Sequence, residues 1–165
     1  MQRVKKRLGV GLLSLMGMAC TDADIEWSGF QSVDPQGWSL DSTLVLNVEP
    51  EEVNRGYALE MAVRHTVDYP YSNLFVFRNI ILEQDTLYSD TLELSLADEY
   101  GEWNGKGSGL VREMVFPYRQ NLLRFEESGA YRFTFAHGMR DTQLTGIERI
   151  GLRLIRIEED STHRP

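Results

Sequence analysis

Cysteine occurs once in these 165 residues and histidine three times. A single cysteine excludes a disulfide within the chain, and with no second cysteine and no paired-histidine spacing a zinc site has no ligand set. Basic residues are scarce after the start. Arg3, Lys5, Lys6 and Arg7 precede every acidic residue, so from residue 20 onward 13 basic groups face 25 acidic ones, a net of −12. Such a body repels nucleic acid, and no nucleic-acid partner is expected. The longest apolar run, Leu8 to Ala19, falls short of the roughly 20 residues that a permanent membrane helix needs. Helical periodicity is almost lacking, and internal repeats and low-complexity segments are absent, so one ordinary domain is expected.

The opening MQRVKKRLGVGLLSLMGMAC combines a basic start, that short apolar run and the lone cysteine at its end. This is the pattern of a bacterial export signal. With small Ala19 before Cys20 it resembles a lipoprotein signal, which implies cleavage before Cys20 and a lipid on its sulfur. Such a lipid holds a protein to a membrane without a spanning segment, at about 0.8 kcal/mol per buried CH₂. The polar, acidic Thr21 to Glu26 reads as a tether and resembles the sorting stretch of surface lipoproteins; the outer membrane is the expected location, with the face undecided.

The body alternates apolar and polar residues with period two. Tyr57, Leu59, Met61 and Val63 form one apolar face against Glu60, Arg64 and Thr66; Leu44, Leu46 and Val48, Leu92, Leu94 and Leu96, Tyr131, Phe133 and Phe135, and Ile150, Leu152 and Leu154 repeat the pattern. LFVFRNIIL, residues 74 to 82, is nearly continuous in apolar content and is expected to be a central strand covered on both faces. The parity flip at Ile155 and Ile157 predicts a bulge near Leu154. Turn chemistry separates the runs at Asp34-Pro35-Gln36-Gly37, Glu49-Pro50, Tyr69-Pro70, Ser128-Gly129 and Gly138. About eight strands in sequence predict an all-β fold, a single antiparallel two-sheet β-sandwich of jelly-roll or immunoglobulin-like type. The expected organisation is a signal peptide over 1–19, a lipidated tether over 20–26, the sandwich over 27–158 and a frayed tail over 159–165.

GEWNGKGSG, residues 101 to 109, invites a chemical reading. A phosphate-binding P-loop needs four residues between its first glycine and the Gly-Lys pair, and a helix after it. Here three residues separate Gly101 from Gly105, Gly107 follows Lys106, and a strand follows. Gly105-Lys106-Gly107-Ser108-Gly109 puts its serine one place late for a nucleophile elbow. The simplest reading is a hairpin loop in which glycines supply positive φ and Trp103 folds back over the core. Two sharper readings stand beside it: Trp103 as a sugar-stacking platform, and a calcium loop using Asp98, Glu99 and Glu102.

His65 and His137 fall on the apolar parity of their strands and read as satisfied strand-end residues rather than metal ligands. Arg140-Asp141 reads first as an ion-paired turn and second as a binding role for Arg140. Tyr69-Pro70-Tyr71 reads as a packed turn or a partner-contacting loop. No catalytic residue, cofactor or metal site emerges. Tyr69, Tyr71, Trp103 and Arg140 are the candidate contacts for a protein partner or a glycan.

Four blocks together bring a family into view. Arg64-His65-Thr66 with Tyr69-Pro70-Tyr71-Ser72-Asn73-Leu74; Leu96-Ala97-Asp98 with Gly101, Trp103, Gly105, Gly107 and Gly109; Gly129-Ala130-Tyr131-Arg132-Phe133; and Met139-Arg140-Asp141, Leu144, Gly146-Ile147 and Ile150-Gly151-Leu152-Arg153 occur in that order. With the signal and Cys20, the chain resembles the gliding motility lipoprotein GldH family of Bacteroidetes. The resemblance implies a non-catalytic, envelope-anchored accessory lipoprotein with envelope protein partners, linked in gliding relatives to the motility and type IX secretion apparatus.

Overall fold

The computed structural model describes residues 25–119 and 122–157. The expected signal peptide, Cys20 and the tail over 159–165 lie outside them. Eleven strands follow in order: β1 (Ile25–Ser32), β2 (Trp38–Ser39), β3 (Leu44–Val48), β4 (Gly56–Thr66), β5 (Asn73–Leu82), β6 (Asp85–Ser95), β7 (Val111–Pro117), β8 (Leu123–Arg124), β9 (Tyr131–His137), β10 (Gln143–Leu144) and β11 (Ile147–Arg156). One sheet runs β1-β11-β4-β7, with β8 also on β4; the other runs β3-β9-β5-β6; β2 and β10 form a short ribbon. Pairing throughout is antiparallel. Among the eight long strands, the first, eighth, third and sixth make one sheet and the second, seventh, fourth and fifth make the other. That order is a jelly roll and decides between the two expected sandwich types.

Period two works as the pattern requires: Tyr57, Leu59, Met61 and Val63 of β4, Phe133 and Phe135 of β9, and Ile150, Leu152 and Leu154 of β11 are all buried between the sheets. Each such side chain contributes roughly 1.5–3 kcal/mol. The charged pairs on the outer face of the first sheet, Arg153 with Glu60 and Glu113 at 3.7 Å each, are exposed enough to contribute about 0–1 kcal/mol. Burial therefore holds the sheets together, and the outer charges add little.

Two strand-level expectations change. β5 lies between β9 and β6, so it is central by hydrogen bonding, but only one of its faces is covered. Phe77 is 47% exposed on the other, where the Phe75 and Phe77 side chains lie close over Gly138. The bulge opposite Leu154 and Ile155 carries its extra residue, Glu26, on β1 rather than on β11. β11 has its own irregularity at Glu148, between Ile147 and Arg149.

One inward position of β5 is a charge. Arg78 shares the core-facing parity of Leu74, Val76 and Ile80 and is 2% exposed. Its guanidinium holds the Asp90 carboxylate of β6 through Nε (2.9 Å) and Nη2, donates to the Tyr118 carbonyl at 2.7 Å, and lies 4.3 Å from the centre of the Tyr118 ring. The Tyr88 hydroxyl donates to the same carboxylate at 2.7 Å. Burial alone would raise the Asp90 carboxyl, but the bonds from Arg78 and Tyr88 outweigh it and hold the group below its ordinary range. Asp90→Ala would strand a buried guanidinium and is expected to cost about 3 kcal/mol in denaturant unfolding. Replacing both partners, as in Arg78→Met with Asp90→Leu, should recover more than half of that loss.

Candidate functional site

β1 begins at Ile25 on one end of the sandwich; the links after β1, β4, β6 and β9 reach the opposite, distal end. The distal end gathers residues from three of the sequence blocks. His65 closes β4 and is fully buried, its ring 4.6 Å from that of Trp103 and 5.9 Å from that of Tyr69. Tyr69 stacks edge-on against Tyr71 at 5.8 Å and donates its hydroxyl to the Asn73 carbonyl at 3.0 Å. The Tyr71 hydroxyl donates to Asp141 Oδ2 at 2.7 Å, 70 residues along the chain. Gly146, at φ +87°, passes beneath Tyr69 so closely that a Cβ there would sit 2.8 Å from Tyr69 Cα. Met139 Sδ accepts the backbone N–H of Phe75 at 3.4 Å.

The glycine stretch is not a hairpin loop. It carries the chain from β6 in one sheet to β7 in the other. Its first half is held by a bridge between Ala97 and Trp103 and by Asp98, whose Oδ1 accepts the N–H groups of Tyr100 and Glu102 at 2.9 Å each. The Asp98 carboxylate is thus used in closing its own turn. Among the described residues no group of three or more His, Cys, Asp or Glu is placed to hold a metal. The second half turns back on β7: Lys106 and Glu113 exchange backbone hydrogen bonds of 2.9 and 2.8 Å, and a side chain at Gly107 would overlap the Val111 carbonyl. Trp103 does fold back, half-buried against the core.

Of the sequence candidates, Tyr69 is 3% exposed and is a core residue, so in this arrangement it cannot touch a ligand directly. Tyr71 and Trp103 are half-buried, and Arg140 is exposed. Arg140 and Asp141 do not form the expected ion pair; Asp141 accepts Tyr71 instead, because the turn aims its carboxylate across to the β4–β5 link. The histidines are less satisfied than expected. His65 Nδ1 lies 2.9 Å from the Thr66 carbonyl, but its Nε2 and both ring nitrogens of His137 have no hydrogen-bond partner among the described residues. Desolvation lowers the pKa of both; at His65 the Thr66 carbonyl opposes it and Arg112 adds to it, and at His137 the Asp141 carboxylate opposes it. Desolvation raises the Tyr69 hydroxyl, and the hydrogen bond to Asp141 raises that of Tyr71. The arrangement is a cross-braced loop platform.

A family model described as "GldH lipoprotein" matches residues 27–154. The chain belongs to the GldH lipoprotein family. Among its relatives, the gliding motility lipoprotein GldH homolog of Christiangramia forsetii is 34% identical over 124 residues, covering 71% of this chain and 76% of that one. The gliding motility lipoprotein GldH of Flavobacterium johnsoniae is 24% identical over 156 residues, covering 90% and 96%. Among solved structures, dimeric latent PorU from Porphyromonas gingivalis aligns at a TM-score of 0.33 and 9% identity over 86% of this chain and 14% of that one, a likeness too low to carry an argument. In this GldH chain the residues that sequence reading missed are Asp141 as the acceptor for Tyr71 and Gly146 as the floor beneath Tyr69. Parity on β4 was the signal for His65; nothing local signals the other two.

Two outcomes follow for the platform. Gly146→Ala forces a side chain onto Tyr69 at positive φ and is expected to cost about 1–3 kcal/mol, measured by denaturant unfolding. The lowered histidine pKa values mean that the unfolded chain takes up protons first as pH falls below about 6.5. Stability is then full above that value and declines toward pH 5. Melting temperature against pH should show the fall, and His137→Leu should make it shallower.

Proposed function

We propose that this GldH protein is a non-catalytic lipoprotein of the cell envelope, held by a lipid on Cys20 in the outer membrane, that presents its distal end to protein partners of an envelope complex. The observation that carries this reading is the convergence of blocks far apart in sequence on the end of the sandwich opposite Ile25. The Arg64-His65-Thr66 and Tyr69–Asn73 block, the Trp103 loop and Met139-Arg140-Asp141 brace one another there. An interior needs only generic packing; loops braced this way hold a defined outer surface. That surface includes exposed Arg140, with Tyr100 82% and Leu110 67% exposed on the adjoining loop. Large exposed aliphatic and aromatic groups beside an arginine are the composition of a protein contact. A glycan platform would need several aromatics standing clear of the surface; Tyr100 does, but Tyr71 is bonded to Asp141 and Trp103 is packed on His65.

The relatives carry gliding motility in their names. In this chain the corresponding role is support of an envelope assembly of the motility or secretion kind. In-cell crosslinking, capture and mass spectrometry test it. Arg140→Glu with Tyr100→Ser leaves the braces untouched and is expected to lower recovery of a reproducible envelope partner at least tenfold. Undiminished recovery would place the contact elsewhere. Cys20→Ser is expected to release the protein from the membrane fraction and abolish lipid labelling.

A further inference from the structure

The end of the sandwich that carries the tether has a surface of its own. Exposed aliphatic side chains gather there: Ile25 (47%) at the start of β1, Val53 (42%) in the β3–β4 link, Leu122 (45%) before β8 and Leu87 (55%) in β6. Leu87 is the residue left unpaired where the β5–β6 register shifts, opposite Ile80 and Ile81. It forms one wall of a cleft of about 310 Å³ that opens between the sheets, with Leu82, Leu123, Phe125 and Tyr131 among its lining residues and Arg119 at its side. The Arg119 guanidinium lies 4.8 Å from the centre of the Tyr88 ring.

The chain outside the described residues decides what meets this surface. Cys20 and Ile25 are five peptide steps apart, which bounds their separation at about 18 Å. β1, β11, β4 and β8 lie side by side, so the cleft is three strand spacings from Ile25, about 14 Å. A lipid on Cys20 therefore brings the whole face within reach of the bilayer. The arginines near the tether already have carboxylate partners: Arg156 holds Glu26 and Glu51 at 3.0 Å each, and Arg55 holds Glu52 at 3.0 Å. Burial would raise the Glu26 carboxyl, but the Glu51 N–H and Arg156 bring it below its ordinary value, so it stays ionised and paired. Paired charges approach a low-dielectric interface at less cost than isolated ones. Glu83, Glu126 and Glu127 remain on the same end and disfavour anionic lipid.

We infer that this end docks flat on a bilayer of neutral phospholipid, with Leu87, Leu122 and Val53 entering the headgroup layer and Arg119 facing phosphate oxygens. The inference rests on the lipid anchor at Cys20. The lipidated full chain is bound to phosphatidylcholine vesicles containing nitroxide-labelled lipid, with an environment-sensitive fluorophore on a cysteine introduced at Leu87, Leu122 or, as a distal reference, Tyr100; Cys20 is blocked by its lipid. Vesicle flotation is read first. A chain that does not float overturns the anchor and the docking with it. A chain that floats and is quenched at least threefold more at positions 87 and 122 than at 100 supports docking. Flotation with equal quenching at all three positions overturns docking and leaves the anchor intact. In the docked case, Leu87→Asp with Leu122→Asp should bring quenching of a label at Val53→Cys down to the level at position 100, with an unchanged circular dichroism spectrum. A label at Val53 still strongly quenched in that variant would overturn the role given to the two leucines.

Discussion

Arg78 carries a guanidinium into a core made chiefly of aliphatic and aromatic side chains, and the way it is held links the two sheets that burial brings together. Its partners come from two places: Asp90 on β6, and Tyr118 just past β7, which offers both its carbonyl and the face of its ring. β5 and β6 belong to one sheet, β7 to the other, so a single side chain ties the layers together. A buried ion pair adds little net stability over a well-packed apolar substitute, but losing either partner is costly. Its consequence is therefore choice of arrangement. A slip of β6 by one residue would turn Asp90 away and leave Arg78 unpaired. Because β6 is the outer strand of its sheet, an inward-pointing carboxylate also discourages strangers from pairing along that edge.

Around this centre the jelly roll divides labour between its ends. Strands that begin at one end and finish at the other place β1's start, the β3–β4 link and the cleft together, and send the glycine stretch, the two tyrosines and Met139-Arg140-Asp141 to the other. The distal loops would be free to vary in shape if they were only connectors. Instead, aromatic contacts from His65 to Tyr71, and the bond onward to Asp141, fix them relative to one another.

Some of this was legible in residues alone. Alternation in β3, β4, β9 and β11 identified the buried faces, because side-chain direction in a strand depends only on position along it. The same rule, applied to β5, puts Arg78 beside Val76 and Ile80 on the inner face; the apolar richness of Phe75 and Phe77 on the outer face hid it. Trp103 was read correctly as folding back, but the link around it was mistaken for a hairpin, since glycine reports a local turn and not which sheet the next strand joins. The Arg140-Asp141 pair misled for a similar reason: adjacency in sequence favoured an ion pair, while the loop packing gave Asp141 a partner from another link.

The sequence by itself determined an all-β body, the faces of its main strands, membership of a lipoprotein family through ordered blocks, and a charge balance that disfavours nucleic acid. These depend on residue type and local spacing. Only the tertiary structure decided the jelly-roll order, the pairing of Arg78 with Asp90, and the gathering of three of the four family blocks on one end. Those depend on contacts such as Tyr71 with Asp141, 70 residues apart, and Glu26 with Arg156, 130 residues apart. No local preference encodes which distant partner a side chain meets; that is settled when strands from across the chain pack one shared core.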